Sequence, residues 1–590
     1  MRFLTPFRHG SELNQVERWK LERHPLDVYR AVIDEYAPLG AGAPAAVAAV
    51  PGEAERLKWV GIYPQRGAED AHMMRFKVPG GHLSAAQAAT IGAISDRHGR
   101  GPVTNPRWGE GFCDITTRQD IQLHWVAMAD VPGIWARLEE VGLGTLQACG
   151  DSARNVLCCP VSGVDAEEVF DAYPAAQAVS EFFTGNREYA NLPRKFKISL
   201  TGCRDDCAQA ELNDIGLWPA RNGDGRVGFN VLVGGGLSDG PRLASDIDVF
   251  ITVDRAVELT RAIAQLYGEL GNREHRGLCR MRYLVQELGP ERFRAELAAR
   301  AEFDLSTAGE ALTRRYRGDH VGVHAQRQPG LVYVGLNVTV GRIAGSDLVE
   351  AARLAATYGD GEIRLTTSQN LLLTGVPEGR LDDLLAEPLL QRHSPFPGPF
   401  ERGAVACTGT EFCRFAIIET KQRMADWARF LDRQLAAEEA TGPAAGDGPR
   451  GRSTDGEEVI RVHLSGCSAS CAQPQIADIG FRGETAHRQG RLVEAVDVGL
   501  GGSLGTDAAF IDWVAGAVPT DDIPDLIVGL VGRYRAQRRP GERFHQWVRR
   551  SGTTSLGAEF APDEVADDQL RRHHSAPEPS ALRAGGERTL

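Results

Sequence analysis

Four cysteines in the second half of the 590-residue chain carry the clearest chemistry. Cys407 and Cys413 are spaced C-x5-C, and Cys467 and Cys471 are spaced C-x3-C. Thiolates are soft ligands for iron–sulfur clusters, zinc or Cu(I). A cuboidal cluster takes four of them, which two separated pairs supply. On spacing alone a structural zinc site, or four inert buried thiols, stays open, although zinc knuckles usually bring their cysteines two to four residues apart.

Basic side chains form the second group of interest. They fall in HMMRFKV (Arg75, Lys77), TTRQDIQLH (Arg118, Gln119, Gln122), GDSARN (Arg154, Asn155) and LPRKFKISL (Arg194, Lys195, Lys197). Arginine gives bidentate, permanently charged contacts to an anion, and lysine a mobile point charge that can also pass a proton. Lys195 and Lys197 flank Phe196, which on a strand puts both on one face. His124 is read as a core residue. The glycine-rich segments GGGLS at Gly234 and GGSLG at Gly501 lack the strand–GxGxxG–helix context of a dinucleotide site. They suit tight turns, or loops offering N–H groups to carboxylates.

The elements that must position these residues occur twice. ITTRQDIQL from Ile115 resembles LTTSQNLLL from Leu365. ACGDSARN from Ala148 resembles ACTGTEFC from Ala406. LTGCRDDCAQAELNDIG from Leu200 matches LSGCSASCAQPQIADIG from Leu464, and VLVGGGLS from Val231 resembles VGLGGSLG from Val498. Four blocks recurring in one order mark a duplication. Each half reads as mixed α/β, with strand-like KVPGGHLS and LNVTVGRIAG leading into alanine-rich helices. In this alignment the first-half counterparts of the four cysteines are Cys149, Asn155, Cys203 and Cys207. A four-thiolate cage therefore fails there, the cluster belongs to the second half, and Cys203 and Cys207 read as relics.

Composition bounds the rest. Seventy-nine acidic against 66 basic residues give a net charge of −13, which argues against nucleic-acid or anionic-membrane partners. No apolar run reaches the length of a membrane span, and the N-terminus carries no signal-like core, so a cytoplasmic protein is expected. The odd count of eleven cysteines fits free or metal-bound thiols of a reducing compartment.

ACTGTEFCRFAIIETK followed by SGCSASCAQPQIADIGFRG resembles the paired cluster motif of the sirohaem-dependent assimilatory sulfite and nitrite reductase family, and the wider pattern runs from about Leu13 to Arg549. The resemblance implies an α/β (α+β), internally duplicated pseudo-twofold fold: an N-terminal arm (1–70), two ferredoxin-like half-domains (71–140 and 313–390), a larger sirohaem and anion domain (141–312), a cluster domain (391–558) and a flexible tail (559–590), with a surface excursion over 436–458. It implies a 4Fe–4S cluster on Cys407, Cys413, Cys467 and Cys471, the last also bridging to the sirohaem iron. Arg75, Arg154, Lys195 and Lys197 match the basic set around the substrate; Arg118, Gln119, Gln122 and Asn155 match sirohaem contacts. Phe412 is read as standing where the first half has Arg154, so the second half is expected to lack the basic set. Tyr63 and Cys149 match a pair that some bacterial members join by a thioether. The implied reaction is six-electron reduction of sulfite to sulfide, with nitrite to ammonia the near alternative. Remote alternatives are a precorrin-3B synthase-like oxygenase or a non-catalytic zinc or scaffold protein. Without a flavin or nicotinamide motif, electrons are expected from a ferredoxin docking on the arginine-rich stretch Arg533–Arg550 of a monomer. That stretch could equally be internally paired.

Overall fold

The computed structural model describes residues 13–560 apart from 68, 69, 239, 315, 317 and 442–458. Most of the expected surface excursion, and the tail beyond 560, lie outside the described residues.

Two small antiparallel sheets form the centre. The first contains β1 (Ile62–Pro64), β2 (Ala71–Phe76), β4 (Phe112–Ile115) and β5 (Ile121–Ala127). The second contains β12 (Gly322–Ala325), β13 (Leu331–Leu336), β15 (Glu362–Leu365) and β16 (Leu371–Pro377). Each sheet is completed by a strand from the other repeat. β14 (Arg342–Ala344) pairs with β4, placing Arg342 opposite Asp114, and β3 (His82–Ser84) pairs with β15, placing Arg364 opposite His82. The exchange merges both sheets into one hydrophobic core, in which Ile91, Ile115, Leu123, Leu348, Leu365 and Leu373 are all fully buried.

Two helices cover this core. Ala85–His98 starts with a Ser84/Gln87 capping box, and Gly345–Tyr358 is its partner. They cross where Gly92 meets Gly345. A Cβ on either glycine would stand 2.5 Å from the other's carbonyl oxygen, so only glycine permits this approach.

Each larger domain repeats one topology. In the first, β6 (Ala153–Cys158), β7 (Phe196–Leu200) and β8 (Ile215–Arg221) run parallel, followed by antiparallel β9 (Val227–Val233) and β10 (Ser245–Ile251). A two-residue strand, β11 (Glu310–Ala311), adds to β8. In the second, β17 (Ala404–Ala406), β18 (Val462–Ser465) and β19 (Ile479–Arg488) run parallel, then β20 (Arg491–Leu500) and β21 (Asp512–Pro519) antiparallel. Parallel strands need crossover connections. Helices Tyr173–Phe183 and Lys421–Thr441 supply them.

The strand register corrects the sequence alignment at one point. Cys158 lies opposite Leu200, and Ala406 lies opposite Leu464. Since Leu200 and Leu464 are equivalent in the repeat, Cys159 is the counterpart of Cys407, and Asp165 that of Cys413. Gln119 donates to the carbonyls of Cys158 and Leu365, just as Gln369 donates to those of Ala406 and Ile115. Cys149 and Asn155 are therefore not the matching positions. The conclusion that the first half lacks four thiolates survives, with Asp165 as the break. By the same register Arg402, not Phe412, stands where the first half has Arg154.

Candidate active site

The four second-half cysteines sit on two loops that leave neighbouring parallel strands, β17 and β18. The N–H of Gly466 donates to Cys407 Sγ at 3.2 Å. Cys471 lies within electrostatic reach of both Cys407 and Cys413. Burial pushes the Cys407 thiol up to about 12 and raises that of Cys413, with the neighbouring Cys471 adding to both. Such thiols ionise when a metal takes the proton's place. No three of the four have ligand atoms within 4.8 Å of one another among the described residues. That spacing suits a multinuclear cluster rather than a single ion, and the N–H···S contact is of the kind that tunes one.

The loop after β4 joins this cysteine pair to the basic residues. Thr117 donates through Oγ1 to the Cys471 carbonyl at 3.0 Å. The next residue, Arg118, donates to Asn213 Oδ1 at 2.9 Å and to the Asn155 carbonyl at 2.7 Å. Asn155 in turn donates to the carbonyls of Val78 and Arg118. Burial, with Arg154 and Arg75 nearby, draws the Arg118 pKa down to about 10 despite the opposing Asp120.

Arg75 donates to the Tyr63 hydroxyl at 3.1 Å and lies over its ring. Burial opposes its charge, but Tyr63, Cys149, Asp120 and Cys471 hold its pKa above the usual range. Gln122 is its direct cross-strand neighbour and so shares its face. The buried Tyr63 hydroxyl donates to the Cys149 sulfur. Burial opposes ionisation of Cys149, yet Arg154, Arg75 and that hydrogen bond bring its pKa below the ordinary value. Arg154 is held through Nε on the Gly150 carbonyl at 3.0 Å.

Lys195 and Lys197 share a face as the alternation required. Burial, then the adjoining Arg280, Arg194 and Arg154, bring Lys195 down to about 7, against the pull of Cys471. Burial, then Arg118, Lys195 and Arg280, press the Lys197 pKa well below its ordinary value. A carboxylate acting on Lys197 is that of Asp214, which also accepts from its backbone N–H at 2.9 Å and pairs with Arg280 at 3.1 Å.

Buried cations crowded together need an anionic group among them. The side-chain Nε of Arg75, Arg118 and Arg280 and the Oδ1 of Asn155 are buried without a partner, as expected where a polar ligand would complete them. A polycarboxylate macrocycle fits the three guanidinium donors, while the Asn155 oxygen calls for a donor.

On the opposite side of the pseudo-twofold the same positions are neutralised. Arg402 stands where the first half has Arg154 and is paired with Asp319. Arg461 stands where it has Lys197 and is paired with Asp478 at 2.9 Å. The expectation that the second half lacks basic equivalents is thus overturned in part: it keeps two of them, Arg402 and Arg461, and cancels their charge, while Val459 stands where the first half has Lys195. The cavity there, about 1130 Å³, is lined by both arginines and by Arg535, Arg538 and Arg539.

One further expectation changes, and two open alternatives are narrowed. The Gln119 amide is spent on strand-end carbonyls, so it positions Arg118 rather than reaching a cofactor. The N–H groups of Gly234, Gly235 and Gly236 bind backbone carbonyls, making that loop a tight turn. In the arginine-rich stretch Arg533 pairs with Glu559 and Arg550 with Glu542, so part of it is internally paired. His124 is buried and stacks on Phe412 at 3.8 Å. Sequence reasoning missed Thr117, Asp214 and Arg280. The repeated TT dipeptide could have found the first, because Thr367 binds the Cys207 carbonyl as Thr117 binds that of Cys471.

The family model for the nitrite and sulphite reductase 4Fe-4S domain matches residues 149–305 and 398–565, and that for the nitrite/sulfite reductase ferredoxin-like half domain matches 63–104, 107–141 and 324–390. The chain belongs to the nitrite and sulfite reductase family. With the family come a sirohaem and a 4Fe–4S cluster, and oxidoreductase chemistry. The chain is 42% identical over 584 residues, 95% of both chains, to the assimilatory ferredoxin-dependent nitrite reductase of Haloferax mediterranei. It is 40% identical to the ferredoxin–nitrite reductase of Synechococcus elongatus, covering 90% of this chain and 98% of that one. The NirA protein of Mycobacterium tuberculosis superposes with a TM-score of 0.82 at 32% identity, over 92% of this chain and 98% of that one. No described helix is long and apolar enough to cross a membrane.

Proposed function

We propose that the chain reduces nitrite to ammonia with electrons from a ferredoxin, and that sulfite is the poorer substrate. The observation that carries this reading is similarity over nearly the whole chain to ferredoxin-dependent nitrite reductases of an archaeon and a cyanobacterium. It reverses the preference for sulfite drawn from the sequence. The specific observation still favouring sulfite is Lys197 beside Lys195, since an additional ammonium favours the more highly charged anion.

In this reading Cys407, Cys413, Cys467 and Cys471 would hold the cluster, whose electrons would serve the macrocycle beside it. Arg75 and Arg118 would hold the macrocycle carboxylates, and Asn155, whose amide N–H groups bind the Val78 and Arg118 carbonyls, positions Arg118. A bound sirohaem would supply the iron and redox chemistry for the anion. Arg154, Lys195 and Lys197 neutralise the anion's oxygens, and the two lysine Nζ atoms give protons to oxygen as it leaves. Asp214 fixes the backbone of Lys197 and balances Arg280, keeping both lysines aimed at the anion. Burial of these cations strengthens every such contact.

Steady-state kinetics on fully loaded enzyme, with the two anions side by side, tests the proposal. It predicts the higher kcat/KM for nitrite. A higher value for sulfite would restore the other reading.

A further inference from the structure

The first repeat keeps three thiols at cluster-ligand positions, Cys159, Cys203 and Cys207, and arranges them differently from the second. Cys203 Sγ and Cys207 Sγ are 3.4 Å apart, and all three sulfurs lie within 4.8 Å of one another. No cuboidal cluster fits between thiols in such contact. A tetrahedral zinc with bonds of about 2.3 Å to sulfur sets its ligand atoms about 3.8 Å apart, close to what is seen.

A fourth donor stands beside Cys207, although it is not within 4.8 Å of all three sulfurs and would have to close in on a bound metal. His320 Nε2 is 3.0 Å from Cys207 Sγ, and its other ring nitrogen is 3.5 Å from the Tyr333 hydroxyl. A metal-bound imidazole commonly has such a partner, which fixes its tautomer. The Thr201 hydroxyl lies 3.0 Å from Cys203 Sγ. All four donors are at most 3% exposed, and Val161, Val164 and Leu372 pack around the thiols. Relics under no constraint need not stay together around an imidazole.

We propose that the first repeat binds one Zn2+ through Cys159, Cys203, Cys207 and His320, a structural site where the second repeat carries its iron–sulfur cluster. Three thiolates and an imidazole are a donor set that suits zinc, and four protein ligands leave no open position for catalysis. Binding releases the thiol protons and ties the loop after β7 to the segment before β12, so the metal stabilises this end of the first repeat. The site is independent of which anion the enzyme reduces.

Metal analysis of the purified full-length holoenzyme tests this. The expected result is one zinc per chain beside the iron of the sirohaem and cluster. Zinc K-edge absorption on the same sample should give three sulfurs at about 2.3 Å and one nitrogen at about 2.0–2.1 Å. Cys203→Ser should lose the zinc and keep its iron, whereas Cys413→Ser should keep the zinc. Should Cys203→Ser fail to fold, the wild-type stoichiometry and absorption spectrum decide alone. Fully loaded wild-type enzyme without zinc, zinc bound only by nitrogen and oxygen, additional iron at these thiols, or zinc retained in Cys203→Ser would each overturn the proposal.

Discussion

Replacing Lys197 by methionine keeps the length of the side chain and removes its charge. Among the described residues Lys197 forms no ion pair, so its ammonium is free to act on an anion bound nearby. Two unit charges about 4 Å apart attract by about 4 kcal/mol at an effective dielectric constant of 20, and a dianion doubles that. Desolvation returns much of it, and a charge-assisted contact nets about 1.5–3 kcal/mol. We take the lower figure for singly charged nitrite and the upper for doubly charged sulfite. Lys197→Met should then lower kcat/KM about tenfold for nitrite and about a hundredfold for sulfite. The preference for nitrite sharpens by about a decade. The assay is reduction by an artificial one-electron donor, with iron content matched to wild type. Equal losses for the two anions, or a change under twofold for both, would refute the reasoning.

Other outcomes follow from the same geometry. Cys413→Ser should drop the iron content from about five per chain to about one, read by iron and acid-labile sulfide analysis. Tyr63 and Cys149, already hydrogen-bonded, should be joined by a thioether in loaded enzyme. Peptide mapping would find a mass lower by about two hydrogens, and unlinked peptides would disprove the bond. Asp151 is buried among Lys20, Arg194 and Arg276. Burial opposes its charge, but Arg276 and Lys20 hold its folded pKa well below the unfolded value. Its contribution is therefore complete above the unfolded pKa of about 4 and is lost as pH falls further. Asp151→Asn should cost about 3–5 kcal/mol at neutral pH by leaving buried cations unpaired, with a shallower acid dependence in chemical denaturation. Gly92→Val should destabilise by about 1–3 kcal/mol, seen as a lower Tm, because its side chain would meet the Gly345 carbonyl.

The duplication and the two thiol pairs of the second half were legible in the sequence because a repeat and a thiol pair are local patterns. So was the common face of Lys195 and Lys197, which needs only strand alternation. Register across strands was not legible. ACGDSARN and ACTGTEFC share letters, but the pairing of Cys158 with Leu200 and of Ala406 with Leu464 shows that Cys159 matches Cys407. The exchange of β3 and β14 was equally hidden, since a three-residue strand carries no mark of the sheet it will join. Charge cancellation at Arg402 and Arg461 depends on Asp319 and Asp478, whose proximity only the fold creates. The glycine-rich loops stayed open because a turn that binds its own backbone and a turn that binds a ligand use the same residues.

The most direct test of the account is the electron and product balance of the loaded enzyme with reduced ferredoxin and nitrite. The account predicts one ammonium formed for six ferredoxin electrons, with no intermediate oxide released and with nitrite outcompeting sulfite when both are present. Nitrite left unreduced while sulfite is converted to sulfide would contradict it.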